Sequence, residues 1–282
     1  MAMTRRPFGA TGVKVPIIGQ GTWNMERSER RKAVAALRAG LDAGMTHVDT
    51  AEMYGNGRVE ELVGEAIEDR RDDVFLVSKV LPENASRAGT IRACEASLAR
   101  LRTDWLDCYL LHWPGRHPLA ETIAAFETLR AAGKIRAWGV SNFDVAHLEG
   151  AAAIAGARAI ACDQVLYHPG ERAIEPAVAP WCARHGVAVV AYSPFGSGNF
   201  PSPRSRGGRV LAEVAEHHRA TPHQIALAFL VRSPSLFAIP KAAAPDHVLE
   251  NAGAAEITLT AADVRRLDAA FPVHERRTLP TL

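Results

Sequence analysis

Eight apolar, β-rich runs recur along the chain, and each ends in a polar residue or a glycine. They occupy residues 17–21, 47–49, 74–79, 106–112, 137–141, 162–164, 188–192 and 237–241, with ends at Gly21, Asp49, Lys79, His112, Ser141, Gln164, Tyr192 and Lys241. Six of the seven intervals between ends lie between 23 and 33 residues. A strand plus the helix that returns the chain needs about 30 residues, so the spacing predicts repeated βα units in parallel order. Helical periodicity fills the gaps, for example over 29–43, 88–101, 119–132 and 174–185, and Gly44, Gly133 and Gly186 stand where C-terminal caps belong. The last interval, 49 residues, holds helical stretches at 210–218 and 224–231 behind a Gly, Pro and Ser-rich loop, 194–208, that reads as a lid. One more amphipathic helix is expected over 260–271, with Thr260 as its N-cap.

The fold class this predicts is α/β, a (β/α)8 TIM barrel with extra helices near the C-terminus, and residues 1–282 read as a single domain because an eight-unit barrel alone takes about 250 residues. An open doubly wound sheet also alternates strand and helix, but it usually carries Gly-x-Gly-x-x-Gly after its first strand, and here Gly19 and Gly21 are followed by Asn24. Hydrophobic residues at 48% supply a large core. With 33 basic against 31 acidic side chains and no long basic run, nucleic acid is not expected as a partner. Cys94, Cys108, Cys162 and Cys182 are scattered, as buried free thiols of a reducing compartment would be. The N-terminal stretch lacks a signal-like apolar run and no stretch is long enough for a membrane span, so a cytoplasmic protein is expected.

In a closed parallel barrel the C-terminal strand ends share one rim, where active sites sit. Asp49, Lys79 and His112 should therefore meet there, and Tyr54 follows Asp49 by five residues. Hydride reduction of a carbonyl leaves negative charge on oxygen, which needs a proton or its equivalent. A phenol with an ordinary pKa of about 10 is a weak donor, and a neighbouring ammonium favours its phenolate. The expected roles are Tyr54 as acid, Lys79 as the cation that lowers its pKa, Asp49 as the lysine's anchor and His112 as the group that orients the carbonyl. Trp23, Tyr54, His112 and Trp113 are expected to line an open, aromatic substrate pocket suited to small aldehydes, dicarbonyls and aromatic aldehydes.

The stretches Asp49-Thr-Ala-Glu-Met-Tyr54, Val77-Ser-Lys79, Leu110-Leu-His-Trp-Pro114, Gly139-Val-Ser-Asn-Phe143, Gln164-Val-Leu-Tyr-His-Pro169, Tyr192-Ser-Pro194 and Ile239-Pro-Lys241 together resemble the aldo-keto reductase signature, in that family's order. The resemblance implies an NADPH-dependent aldehyde or ketone reductase, an N-terminal β-hairpin before the barrel, and a monomer. It implies that Ser141, Asn142 and Gln164 hold the nicotinamide carboxamide and that Tyr192 stacks on the ring. Ser193, Pro194, Phe195, Gly196 and Ser197 would wrap the pyrophosphate, with Gly21, Thr22, Trp23 and Asp49 also on the cofactor. Ile239, Pro240, Lys241 and Ala242 would approach the 2′-phosphate, and His247, Glu250 and Asn251 the adenine end. His247 stands where the family often has arginine, and Ala242 and Ala243 replace its usual hydroxyl residues, so NADH is kept beside NADPH.

Other readings are weaker. Neither Ser141 nor Ser193 lies in a Gly-x-Ser-x-Gly elbow, which counts against a hydrolase. His217-His218 lacks the spacing of a metal site, and no metal is expected. A cofactor-binding regulatory subunit would carry the same residues and stands as the alternative to an enzyme.

Overall fold

The computed structural model describes residues 3–274 and 278–281; the first two residues of the N-terminal stretch discussed above lie outside this range. A short antiparallel hairpin, β1 (Arg5–Pro7) with β2 (Lys14–Pro16), precedes the barrel. The eight barrel strands are β3 (Gln20–Gly21), β4 (His47–Asp49), β5 (Phe75–Val80), β6 (Leu106–Leu111), β7 (Ile135–Ser141), β8 (Ile160–Leu166), β9 (Ala188–Tyr192) and β10 (Leu236–Ala238). They pair in sequence order, all parallel. Parallel bridges Ile18 to Ala238 and Gly21 to Lys241 close β10 onto β3. The seam is tight: a Cβ on Gly21 would sit 2.5 Å from the carbonyl oxygen of Ile239.

Helices α1 (Arg30–Asp42), α2 (Arg58–Ile67), α3 (Arg87–Leu101), α4 (Leu119–Ala131), α5 (Val145–Ala155) and α6 (Val178–His185) return the chain between strands. Helices α7 (Arg206–His218) and α8 (Pro222–Leu230) fill the long last interval, and α9 (Pro245–Gly253) and α10 (Ala261–Ala270) follow β10. Thr260 caps α10, accepting from the Asp263 amide, while the Asp263 carboxylate accepts from the Thr260 amide. Most boundaries shift by a residue or two, β3 starts at Gln20 rather than 17 and α7 at Arg206 rather than 210, and proline explains two further shifts. Helix α6 starts at Val178 rather than near 174, because Pro176 disfavours helical backbone at Glu175; Pro180 then falls in the first turn, where its missing N–H costs nothing. Strand β10 stops at Ala238, since Pro240 has no N–H to give, and its carbonyl instead accepts from the Gly21 amide.

The hairpin plugs the N-terminal end of the barrel. Its turn carries Phe8, fully buried, with ring centroids 4.8 Å from Phe75, 5.2 Å from Phe237 and 5.6 Å from His47. Burying such a ring stabilises the closed end by about 1.5–3 kcal/mol. The opposite end is left to the strand termini that carry the polar residues.

Candidate active site

Strand alternation decides which side chains enter the barrel. On β5, Ser78 points outward and donates to Glu60 Oε1 of α2 at 2.6 Å, so Lys79 points inward. On β6, Tyr109 packs outward against Phe126 of α4, and the same alternation brings His112, just past the strand, over the rim. Gln164 lies on the inward row of β8, reaching Asp49. Lys79 Nζ donates to Asp49 Oδ1 at 2.6 Å, to the Thr50 carbonyl at 2.8 Å and to Tyr54 Oη at 3.3 Å. The second oxygen of Asp49 accepts from Gln164 Nε2 at 2.7 Å. The Tyr54 and His112 rings meet edge to face, 5.8 Å apart, and His112 lies 4.7 Å from Trp113.

The cluster is buried, and its electrostatics follow from that. Burial works against the Lys79 charge, but Asp49 and Tyr54 outweigh it and hold the ammonium above its ordinary range. Burial raises Asp49, opposed by Lys79 and Gln164. Burial also raises Tyr54, and the lysine's opposing pull is not strong enough to bring it below its ordinary value. This departs from the expectation that Lys79 lowers the phenol outright. The consequence is a Tyr54 that stays protonated at neutral pH, beside a cation placed to receive the phenolate once the proton leaves. His112 is pushed down to about 2 by burial and by Lys79, so its imidazole is neutral, with Nδ1 buried and unpartnered.

Asp49, Tyr54 and His112 lie at the base of a cavity of about 700 Å³, whereas Lys79 is fully buried and not on its wall. Of the residues anticipated from the sequence, Gly21, Thr22, Trp23, Asp49, Tyr54, His112, Trp113, Ser141, Asn142 and Gln164 line it. From the later strands come Tyr192, Ser193, Pro194, Phe195, Ser197, Ile239 and Lys241. Trp23 is exposed at the mouth rather than packed into the core. Gly196, Pro240, Ala242, His247, Glu250 and Asn251 are not on the wall. Glu250 instead accepts from Thr221 Oγ1 at the start of α8, His247 is exposed on the first turn of α9, and Asn251 is buried. Asn24, Met53, Pro114, Gly198 and Thr281 line the cavity without having been anticipated. The first four adjoin or lie close to anticipated residues and could have been found by extension. Thr281 lies near the end of the chain, apart in sequence from every anticipated residue.

A nicotinamide cofactor asks for a flat wall, amide partners, room for a pyrophosphate and a cation for a 2′-phosphate. Tyr192 Oη donates to Asn142 Oδ1 at 2.9 Å, fixing the ring beside Asn142 and Gln164. Asn142, in left-handed backbone at φ 61°, also donates to the His112 carbonyl and to Ser141 Oγ, each at 3.1 Å. Ser193 and Ser197 are left-handed too, at φ 47° and 50°, and curl the loop around the cavity, while Lys241 is exposed at its edge. The residues present fit the group.

The aldo/keto reductase family model matches residues 17–271, and the chain belongs to this family. It is an oxidoreductase of carbonyl compounds. Methylglyoxal reductase YeaE of Escherichia coli (strain K12) is 46% identical over 272 residues, 94% of each chain. Glyoxal reductase of Bacillus subtilis (strain 168) is 34% identical, covering 92% of this chain and 90% of its own. An aldo/keto reductase from Klebsiella pneumoniae, solved in complex with NADP and acetate, superposes with a TM-score of 0.93 at 43% identity, covering 99% of this chain and all of that one.

Proposed function

We propose that this chain reduces small aldehydes and dicarbonyls of the methylglyoxal type, and aromatic aldehydes beside them, using NADPH held across the barrel mouth. The observation that carries the reading is the convergence of Asp49, Tyr54 and His112 at the base of one cavity, with buried Lys79 hydrogen-bonded to Asp49 and Tyr54. The names of the Escherichia coli and Bacillus subtilis relatives support the substrate class.

Bound NADPH supplies the hydride equivalent that goes to the carbonyl carbon. Ser141, Asn142 and Gln164 would hold its carboxamide, Tyr192 its ring, the loop from Ser193 to Ser197 its pyrophosphate, and Lys241 its 2′-phosphate. Tyr54 Oη gives its proton to the carbonyl oxygen as charge develops there. Lys79 stabilises the resulting phenolate, and Asp49 keeps Lys79 in place. Neutral His112 orients the carbonyl and adds no competing charge. Trp23, Met53 and Trp113 supply apolar walls for the substrate. The chain acts as one barrel unit, and its buried free thiols suit a reducing, cytoplasmic setting. No helix among the described residues is long and apolar enough to cross a membrane.

Loss of NADPH absorbance, and separately of NADH, with purified protein and a panel of aldehydes and dicarbonyls tests this reading. Turnover with methylglyoxal and a preference for NADPH are expected. Tight cofactor binding without turnover of any carbonyl would overturn the enzymatic reading in favour of a regulatory one.

A further inference from the structure

Gln164 touches both halves of this site at once. Its side chain lines the cavity where the carboxamide is expected, yet its Nε2 is committed to Asp49 Oδ2 at 2.7 Å, with both residues buried. Its own carbonyl accepts from Ser141 Oγ at 2.8 Å and from the Asn142 amide at 2.9 Å. The two oxygens of Asp49 are thereby divided, one to Lys79 and one to Gln164. A carboxylate only accepts, so it selects the orientation of the Gln164 amide that turns Nε2 toward it and Oε1 away. A ligand amide meeting Oε1 must then present an N–H.

We propose that Gln164 is a positioning residue that ties the cofactor's carboxamide to the proton-donating cluster, by holding Asp49 ionised and in register with Lys79 while presenting a fixed acceptor to the ligand. This rests on the reductase reading above. Asp49 is faced by Lys79 from β5, by Tyr54 from the loop after β4, and by Gln164 and Cys162 from β8. Gln164 is the one neutral donor to Asp49 Oδ2 among the hydrogen bonds of the described residues. Without it that oxygen is buried and unpaired, a condition that favours protonation of the carboxyl. A protonated Asp49 no longer charge-balances Lys79, and the cation's hold on Tyr54 changes with it.

The test follows the Asp49 carboxyl by NMR titration in the cofactor-free protein, assigned by Asp49→Asn, and NADPH affinity by the fluorescence of the tryptophans at the mouth. Gln164→Met keeps the length of the side chain and removes its donor. The Asp49 midpoint should rise by about one pH unit or more, matching the loss of a hydrogen bond to a charged group. NADPH should bind at least about tenfold more weakly. Weakened NADPH binding with an unmoved Asp49 midpoint would overturn the proposal and leave Gln164 serving the cofactor alone. If Gln164→Met fails to fold, the isosteric Gln164→Glu carries the test. Its carboxyl beside Asp49 should split the pair's titration and raise one midpoint, and an unmoved Asp49 overturns the proposal equally. Failure of the reductase reading would instead appear as NADPH binding by the parent protein without turnover of any carbonyl, whatever Asp49 does.

Discussion

Replacing Lys79 by methionine keeps the volume of a fully buried side chain and removes one charge. Three hydrogen bonds go with it, to Asp49, Thr50 and Tyr54. At the 3.3 Å separating Nζ from Tyr54 Oη, and an effective dielectric near 20, an ammonium stabilises a phenolate by about 5 kcal/mol. Asp49 then takes up a proton and stops opposing the phenolate, which returns part of this. A net loss of roughly 3 kcal/mol corresponds to about a hundredfold in kcat. Stability falls for a separate reason. Removing one partner of a buried ion pair costs about 3–5 kcal/mol, and roughly 5–8 °C in Tm for a chain of this size. Adding Asp49→Asn to the same protein removes the orphaned carboxyl, so it should recover stability without recovering turnover. NADPH oxidation under single-turnover conditions and calorimetry measure the two effects. A Lys79→Met enzyme within threefold of the parent in kcat would refute the electrostatic argument, and an unchanged Tm would refute the ion-pair argument.

Lys241→Ala should weaken NADPH far more than NADH, by about tenfold or more in Kd, and equal effects by fluorescence titration would place Lys241 away from the 2′-phosphate. His112, neutral from about pH 2 upward, should contribute no limb to the kcat profile near neutrality; His112→Gln should lower the rate without changing the profile's shape, and loss of a limb near 6.5 would contradict this. Glu175 is held down to about 2, because hydrogen bonds from Arg172, Tyr167 and Arg232 outweigh the effect of burial. Its folded pKa lies below its ordinary 4.5, so its stabilisation is full above about pH 4.5 and is lost as pH falls toward 2. Thermal melts of Glu175→Gln should accordingly start lower at neutral pH and fall less over that acid range; parallel curves would show that the cluster contributes nothing to acid sensitivity.

Much of this arrangement was legible before any coordinates. The alternation of apolar runs and helical stretches marks all eight barrel strands, because parallel strands buried on both faces read as continuous apolar segments whose polar ends stand out. The same polar ends give the cluster: Asp49, Lys79 and His112 close their runs, and barrel geometry forces them together. What escaped depends on details that periodicity does not carry. Pro176 and Pro240 shifted boundaries by a few residues. The net direction of the Tyr54 shift required knowing how completely the phenol is buried, since the charge partner was evident and the desolvation was not. The link from Gln164 to Asp49 spans 115 residues of sequence and depends on side-chain orientation. Thr281 lines the cavity, which no residue pattern announces.

The central claim is that Tyr54, held by Lys79, delivers the proton. Tyr54→Phe removes one oxygen from a buried ring and leaves Asp49, Lys79 and the cavity wall in place. NADPH affinity by fluorescence should stay within about threefold of the parent, while turnover of methylglyoxal falls by about a hundredfold or more. Full turnover in Tyr54→Phe would contradict the account.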